Sequence, residues 1–278
     1  MFSGLRLAVI VPAYNEADRI VPTVRGIPDY VDDIVIVDDA SSDRTADAAR
    51  AVSRTGLAIV CHAENRGVGA AIATGYRWAL ARGCDVAVVM AGDGQMDPTD
   101  LPALLAPIRA GIADYTKGNR FAHAEIWHVM PHARLLGNVI LSLLSRPASG
   151  YWHLFDSQCG FTAASRHTLQ SIDLDSIYPR YGYPNDLLAR LSVAGLRVVD
   201  VPVRPVYGPD WRSGISLRTA IYPVLFVVAR SLCWRLAMRA RSMRPTADQW
   251  AAGVDFSQGD SSSSSVSSSD GSSRAPRV

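Results

Sequence analysis

The chain reads as an α/β protein built on a mostly parallel, doubly wound sheet with flanking helices. Three observations predict it. Four short, β-branched-rich runs fall within the first 120 residues, longer helical stretches separate them, and a polar segment follows each run. Strands covered on both faces of a parallel sheet read as continuous apolar runs rather than as alternation. Strand, helix and strand in repetition is the signature of right-handed crossover units.

The first run is LRLAVIV (5–11), followed by DIVIVD (33–38), LAIVC (57–61) and DVAVVM (85–90). Helices are expected over 67–82 and 98–110, where Pro98 suits a first-turn position. Between 122 and 150 the pattern turns helical, and PHARLLGNVILSLLSR (131–146) is strongly apolar. QCGFTAASR (158–166) reads as a short strand and turn, YPNDLLARLSVAG (183–195) as an amphipathic helix closed by Gly195, and LRVVDVPV (196–203) as a strand.

After residue 216 the character changes. The uncharged run 219–229 has 11 residues and contains Pro223, whereas a bilayer span needs about 20 apolar residues. Arg218, Arg230, Arg235, Arg239 and Arg241 lie beside Phe226 and Trp234, so the segment is expected to lie along a membrane surface. From about Pro245 onward, with SSSSSVSSSDGSS at 261–273, the chain is low in complexity and expected to be disordered. The expected organisation is a domain over 1–216, with halves 1–121 and 122–216, then a basic amphipathic segment over 217–244 and a tail over 245–278.

Composition narrows the class. Hydrophobic residues make up 48% and charged residues 19%, enough for a sizeable core, and a net charge of +2 gives no bulk attraction to nucleic acid. Cys61, Cys84, Cys159 and Cys233 lack C-x-x-C spacing, which argues against a zinc site or disulfide framework and suits a reducing compartment. The run at 5–11 is too short for the core of a secretory signal, so the chain is expected in the cytoplasm, peripheral to a membrane.

The segments just past the four runs are PAYNE (12–16), DDASSD (38–43), HAENRG (62–67) and AGDGQMD (91–97). Ligands of doubly wound sheets bind outside the carboxyl ends of the strands, so these four segments imply one site. A nucleoside diphosphate sugar asks such a site for a partner to the base, for charge neutralisation and for help to the leaving group. A divalent cation on oxygen ligands supplies the last two, and Asp93 with Gln95 offers those ligands, with Asp97 nearby. The plainer reading of Asp93-Gly94 is turn chemistry.

VPAYNE (11–16), VDDASSDRT (37–45), NRGVGAAIATG (65–75) and GDGQMDP (92–98), in this order and spacing, resemble the family 2 glycosyltransferases of the GT-A fold. The likeness is strongest to the polyprenyl-phosphate branch that includes dolichyl-phosphate mannose synthases, and it covers about residues 5–216. It implies a nucleotide-binding loop at Pro12, Ala13, Tyr14 and Glu16, a base-binding position at Val37 and Asp39, and a metal-and-diphosphate motif at Gly92, Asp93 and Gln95 holding Mg2+ or Mn2+. It also implies that Arg120, in GNRF (118–121), lies near the donor and acceptor phosphates. The branch carries Asp-x-Asp-x-Gln, and here the first Asp position is Ala91.

Alternatives stand beside these assignments. Glu16 either binds ribose or is a first-turn acid at a helix N-terminus. Asp38 and Asp39 could cap the next helix, although Ser41, Ser42 or Asp43 suits that role better. NRGVG (65–69) is either an anion-binding helix start or plain loop glycine chemistry. His123, His128, His132 and His153 have no metal-ligand spacing and read as exposed or structurally satisfied.

For the acceptor, a lipid phosphate is already an anion and needs cations rather than a base. Arg120, Arg134 and Arg212 are the candidates, with Arg204 as a possible counterpart of Arg212 and snorkelling as the other reading of Arg134. A hydroxyl acceptor would need a carboxylate base, for which Asp186 is first choice and Asp156 second. The expected function is inverting transfer of a sugar from a UDP- or GDP-sugar to a polyprenyl phosphate at a cytoplasmic membrane face. The alternatives are a family 2 enzyme acting on a glycan or glycolipid hydroxyl, a nucleotidyltransferase, for which PAYNE lacks the glycine-rich lysine loop, and a non-catalytic membrane scaffold.

Overall fold

The apolar runs become the central strands of one seven-stranded sheet. In the computed structural model residues 2, 4–123, 126, 130, 132–206 and 224–242 are described, with 133, 134, 241 and 242 described by backbone alone. The strands are β1 (Leu7–Ala13), β2 (Asp33–Asp38), β3 (Leu57–Cys61), β4 (Val86–Val89), β5 (Tyr115–Asn119), β6 (Thr162–Ser165) and β7 (Val198–Pro202). The helices are α1 (Ile20–Gly26), α2 (Thr45–Arg50), α3 (Val68–Ala81), α4 (Leu101–Arg109), α5 (His132–Ser149), α6 (Arg166–Ser171), α7 (Tyr183–Val193) and α8 (Phe226–Ser242).

The strand order is β3-β2-β1-β4-β6-β5-β7. The first four strands are mutually parallel where they pair, β5 is parallel to β7, and β6 runs antiparallel between β4 and β5. The sheet is therefore mostly parallel, as the apolar runs predict. Every residue of β1 and β2 is buried because both faces are covered. Ala8, Ile10, Val35, Val37 and Val89 face one layer, with α3 and α7 residues, while Leu7, Val9, Val11, Ile34 and Val88 face the other, with residues of α1 and α4. Full burial of each Val, Leu or Ile side chain among them contributes about 1.5–3 kcal/mol.

β5 is the strand that apolar runs do not reveal. YTKGN holds a lysine and a glycine, yet its first four residues are buried. Period-two alternation puts Tyr115 and Lys117 on one face and Thr116 and Gly118 on the other. A Cβ at Gly118 would stand 2.9 Å from Cys159 Sγ and 2.9 Å from Val203 Cγ2, so the strand is threaded where only glycine fits.

The two ends of the sheet differ. At the amino end Asp33 is buried and accepts from Arg6 Nε at 2.8 Å and Arg82 Nη2 at 3.0 Å, and Asp85 pairs with Arg166 at 3.0 Å. At the carboxyl end the loops open on a cleft.

α5 packs on α7. It buries Leu135, Asn138, Leu141, Ser142 and Ser145 and leaves Leu136, Ile140, Leu143 and Leu144 exposed. α8 buries Val227, Val228, Ser231 and Arg235 and exposes Phe226 and Leu236. Arg235 Nε donates to Ala148 O at 3.0 Å, which satisfies a carbonyl at the end of α5. Among the described residues no helix is long and apolar enough to cross a membrane. Met1–Arg239 form one compact unit, and of the second, Ala240–Val278, only the end of α8 is described. Arg212 and the Ser-rich tail lie outside the described residues.

Candidate active site

The loop after β1 is braced against the loop after β2. Asn15 N donates to Ser41 Oγ at 2.9 Å, Ser42 N to Asn15 Oδ1 at 2.8 Å, Glu16 N to Thr45 Oγ1 at 2.8 Å and Asp39 N to Ala13 O at 2.9 Å. Asn15 and Ala40 both adopt φ of 58°, a left-handed conformation that Asn tolerates but Ala rarely holds without constraint. Asp43, one residue ahead of the formal cap of α2, accepts from Thr45 N at 2.9 Å, so it supplies the capping carboxylate.

Asp39 is 3% exposed, and its carboxylate draws in the loop after β3. Oδ1 accepts from Arg66 N at 2.9 Å and lies 2.7 Å from His62 Nδ1, while Oδ2 accepts from Gly67 N at 2.7 Å. It does not cap α2. The opening of α3 is pressed against residues 178–183: a Cβ at Gly69 would stand 2.9 Å from Tyr183 Cβ and 3.0 Å from the Pro179 carbonyl carbon, and Ala70 N donates to Pro179 O at 3.1 Å.

The loop after β4 turns tightly. Gln95 N donates to Asp93 Oδ1 at 3.0 Å, Gly94 has φ 71°, and Gly92 N donates to Pro12 O at 3.1 Å. At the position of the missing acid, Ala91 N donates to Met96 Sδ at 3.3 Å. Asp97 accepts from Thr99 N at 2.9 Å and pairs with Arg204 at 3.4 Å, so it starts the turn before α4.

These loops enclose a cleft with two adjoining lobes. The larger, about 460 Å³, is lined by Pro12, Ala13, Tyr14, Glu16, Asp39, Gly92 and Asp93, together with Asn65, Gly67, Arg180 and Tyr181. The smaller, about 210 Å³, shares Pro12, Ala91, Asp93 and Tyr181 and adds Gln95, Met96, Arg120, Gln158 and Tyr183. Tyr14, Asp39 and Asp93 thus face one space. Burial is the largest influence on Glu16 and raises it above the ordinary carboxylate range; its bond from Arg19 at 3.2 Å opposes this and the charge of Asp93 adds to it.

Arg120 stands at the smaller lobe because a wholly buried carboxylate holds it. Asp156 Oδ2 accepts from Arg120 Nε at 2.7 Å and Oδ1 from Nη2 at 2.9 Å, a two-pronged pair. Burial pushes Asp156 upward, but the charge and hydrogen bonds of Arg120, with help from Lys117, outweigh it and hold the group below the usual range.

Other expected residues fall elsewhere. Val37 is buried in the sheet core and Asp186 lines neither lobe. Asp186 Oδ2 accepts from Arg190 Nε at 2.7 Å and Tyr178 N at 3.0 Å. Arg204 N donates to Asp100 at 2.7 Å at the foot of α4. Arg134 lies on α5 with its backbone alone described, and Arg212 is outside the described residues. His153 Nε2 lies 2.7 Å from Val198 O, His132 is exposed and His128 is outside the described residues. No cluster of three or more metal-ligating side chains occurs among the described residues, and all four cysteines are free. Asn65 falls within HAENRG, one of the four expected segments, whereas sequence reasoning missed Arg180, Tyr181 and Gln158 as lining groups; of these only Gln158 lay in a noticed segment, QCGF, read as a strand and turn.

Comparison with known proteins bears on this cleft. The family model described as Glycosyl transferase family 2 matches residues 8–173. The chain is 35% identical over 204 residues to an undecaprenyl-phosphate mannosyltransferase of Micrococcus luteus, covering 72% of this chain and 83% of that protein. It is 31% identical over 229 residues to a polyprenol monophosphomannose synthase of Mycolicibacterium smegmatis, covering 79% and 85%. A UDP-N-acetylglucosamine–dolichyl-phosphate N-acetylglucosaminyltransferase of Methanococcus voltae is 29% identical over 214 residues, covering 72% and 85%. Among solved structures, glucosyl-3-phosphoglycerate synthase of Mycobacterium tuberculosis with UDP superposes with a TM-score of 0.60 at 24% identity, covering 83% of this chain and 81% of that one. The same enzyme with Mn2+, UDP and phosphoglyceric acid gives 0.60 at 21%, covering 88% and 81%, and both likenesses speak to the fold alone. A matched span over most of the sheet, and relatives above 30% identity across most of both chains, place this protein: it is a glycosyltransferase of family 2, with the GT-A type of mixed sheet.

Proposed function

We propose that the enzyme transfers a sugar from a UDP- or GDP-sugar to a polyprenyl phosphate at a cytoplasmic membrane face, with inversion at the anomeric carbon. The observation that carries this reading is the cleft itself. Asp39 and the loops at 12–16 and 65–67 shape one lobe, Asp93 stands at the junction, and an arginine anchored by a buried carboxylate stands in the other lobe. The relatives named for undecaprenyl-phosphate and polyprenol-phosphate sugars support the acceptor class.

In this reading the base is held at Asp39 and the β1 loop, and the diphosphate lies along residues 91–95. The acceptor phosphate oxygen attacks the anomeric carbon in line. One C–O bond forms as the bond to the diphosphate breaks, and the nucleoside diphosphate leaves with both electrons. Arg120 orients the acceptor phosphate and offsets its repulsion by the donor. A divalent cation fits the donor set present, since Mg2+ commonly takes one or two protein oxygens plus phosphates and water, and Asp93 and Gln95 would hold it. When bound it would stabilise the departing diphosphate as a Lewis acid.

An anionic nucleophile needs no base. The two carboxylates that would serve a hydroxyl acceptor are both tied to arginines, Asp156 to Arg120 and Asp186 to Arg190. The exposed stripe Leu136, Ile140, Leu143 and Leu144 on α5, with Phe226 and Leu236 on α8, supports docking at a lipid surface. The domain division at 216 and the tail at 245 remain part of this proposal.

The test incubates the full chain with a panel of radiolabelled UDP- and GDP-sugars, Mg2+ or Mn2+, and a short polyprenyl phosphate in anionic vesicles. One donor should give organic-soluble, acid-labile product of inverted configuration. Label appearing only on glycan or glycolipid hydroxyls would overturn the acceptor assignment. Absence of binding to every donor would favour a scaffold.

A further inference from the structure

Lys117 has no part in the roles above, yet its placement is unusual. It sits within β5 at 1% exposure, and its Nζ has no hydrogen-bond partner. A buried ammonium is tolerated only beside countercharge. Register supplies it: Lys117 stands opposite Asp200 on β7 and opposite Thr162 on β6, so the three share one face. Asp200 Oδ2 accepts from Phe155 N at 2.7 Å and Asn119 Nδ2 at 3.1 Å, while its Oδ1 is buried without a partner.

The other groups on this face are few. The segment between α5 and β6 brings His153 and Asp156, the end of β5 brings Arg120, and Tyr76 of α3, Tyr115 of β5 and Tyr183 of α7 close the layer, while Cys159 packs behind Gly118 on the other face. His153 is engaged with the Val198 carbonyl. The balance is two fixed cations, Lys117 and Arg120, against two carboxylates, Asp156 and Asp200. Burial raises Asp200, and the charge of Lys117 opposes that rise.

We propose that Lys117 is a positioning residue for the transfer reaction: its buried ammonium offsets Asp200, which leaves Asp156 to grip Arg120 with both oxygens and present it to the smaller lobe. Without that ammonium, two buried carboxylates share one guanidinium. Either a carboxylate takes a proton or Arg120 is drawn from its paired geometry, and both outcomes misplace the cation that receives phosphate. A compact lysine suits the task, because a forked guanidinium would compete for the same oxygens. The inference rests on the proposed role of Arg120 at the acceptor phosphate.

The test compares four full-length proteins: wild type, Lys117→Met, Asp200→Asn and the double variant. Measurements are kcat and KM for a short polyprenyl phosphate, nucleoside diphosphate affinity by calorimetry, and Tm against pH. Each single change should raise the acceptor KM about tenfold or more and leave nucleoside diphosphate affinity within about twofold. The double variant, neutral again, should recover to within about threefold of wild type. In Lys117→Met the acid limb of kcat/KM should move to higher pH, since carboxylates deprived of the ammonium hold protons more tightly, and the double variant should reverse it.

A double variant as impaired as the worse single one overturns the proposal, as does Lys117→Met with wild-type acceptor KM and pH profile. If Lys117→Met does not fold, a folded double variant supports the pairing and an unfolded one overturns it. Should wild type make no lipid-linked product, the functional reading fails by itself, and the Tm cycle still decides whether the two charges compensate.

Discussion

The larger and smaller lobes of the cleft are built by different means. Residues 12–16, 38–43, 62–67 and 91–97 follow successive parallel strands, so topology alone delivers them to one edge, and short hydrogen bonds between neighbouring loops set their shape. The smaller lobe, the proposed acceptor side, is assembled across long sequence separations. Asp156 reaches back to Arg120, Asp200 lies opposite Lys117, and Arg235 reaches Ala148. The first half is a consequence of strand order, whereas the second depends on buried charge pairs that can each be broken by one substitution.

The largest contrast should come from the two charged residues at the lobes. Arg120→Ala strands Asp156 without its partner in the interior, so unfolding free energy should fall by about 3–5 kcal/mol at neutral pH in denaturant titrations. The sign against pH follows from Asp156, whose folded-state pKa is depressed. Its stabilisation is complete above the unfolded value near 3.9 and is lost as pH falls toward the folded one, so the gap to wild type should close below about pH 4. A gap unchanged down to pH 3 would show that the pair is not what Arg120 contributes.

Asp93→Ala should do the reverse. It should lower turnover by about 100- to 1000-fold in a radiolabel assay and leave Tm within about 2 °C, because the side chain is only half-buried in a loop. An unaltered rate would remove the donor half from the argument. Gly69→Ala should cost about 1–3 kcal/mol and weaken nucleoside diphosphate binding together, since the added carbon meets Tyr183 and Pro179.

Asp186→Asn separates the acceptor classes. Loss of the bonds to Arg190 and Tyr178 should destabilise by about 1–3 kcal/mol with turnover within about threefold of wild type. Abolished turnover in a folded protein would reinstate a hydroxyl acceptor. The smallest effect belongs to Glu16→Gln, which relieves burial of a charge near Asp93 and should raise stability by about 1 kcal/mol or less while weakening donor binding.

The same contrast explains what was legible in the sequence. DIVIVD and LAIVC gave their strands residue for residue: β2, buried on both faces, has no reason to alternate, and β3, half-buried at the sheet edge, carries the same kind of apolar run. Most lining residues of the larger lobe followed from reading just past those strands, but Arg180 and Tyr181 come from a distant segment and did not. β5 was hidden because Lys117 and Gly118 occupy core positions that apolar pattern cannot signal. Asp156 was considered as a base rather than as the anchor of Arg120, since nothing in a 36-residue separation announces an ion pair. Asp186 was weighed as the base for a hydroxyl acceptor, but Arg190, one turn further along the same helix, takes its carboxylate.

The contact between the start of α3 and residues 178–183 sets a rule for anyone redesigning donor choice. Gly67 and Gly69 leave no room above them, and Arg180 reaches Asn65 across the same seam. Libraries that diversify 65–70 alone will mostly return misfolded clones, whereas covarying 178–183 with them should keep the seam closed while the specificity of the enclosed lobe drifts.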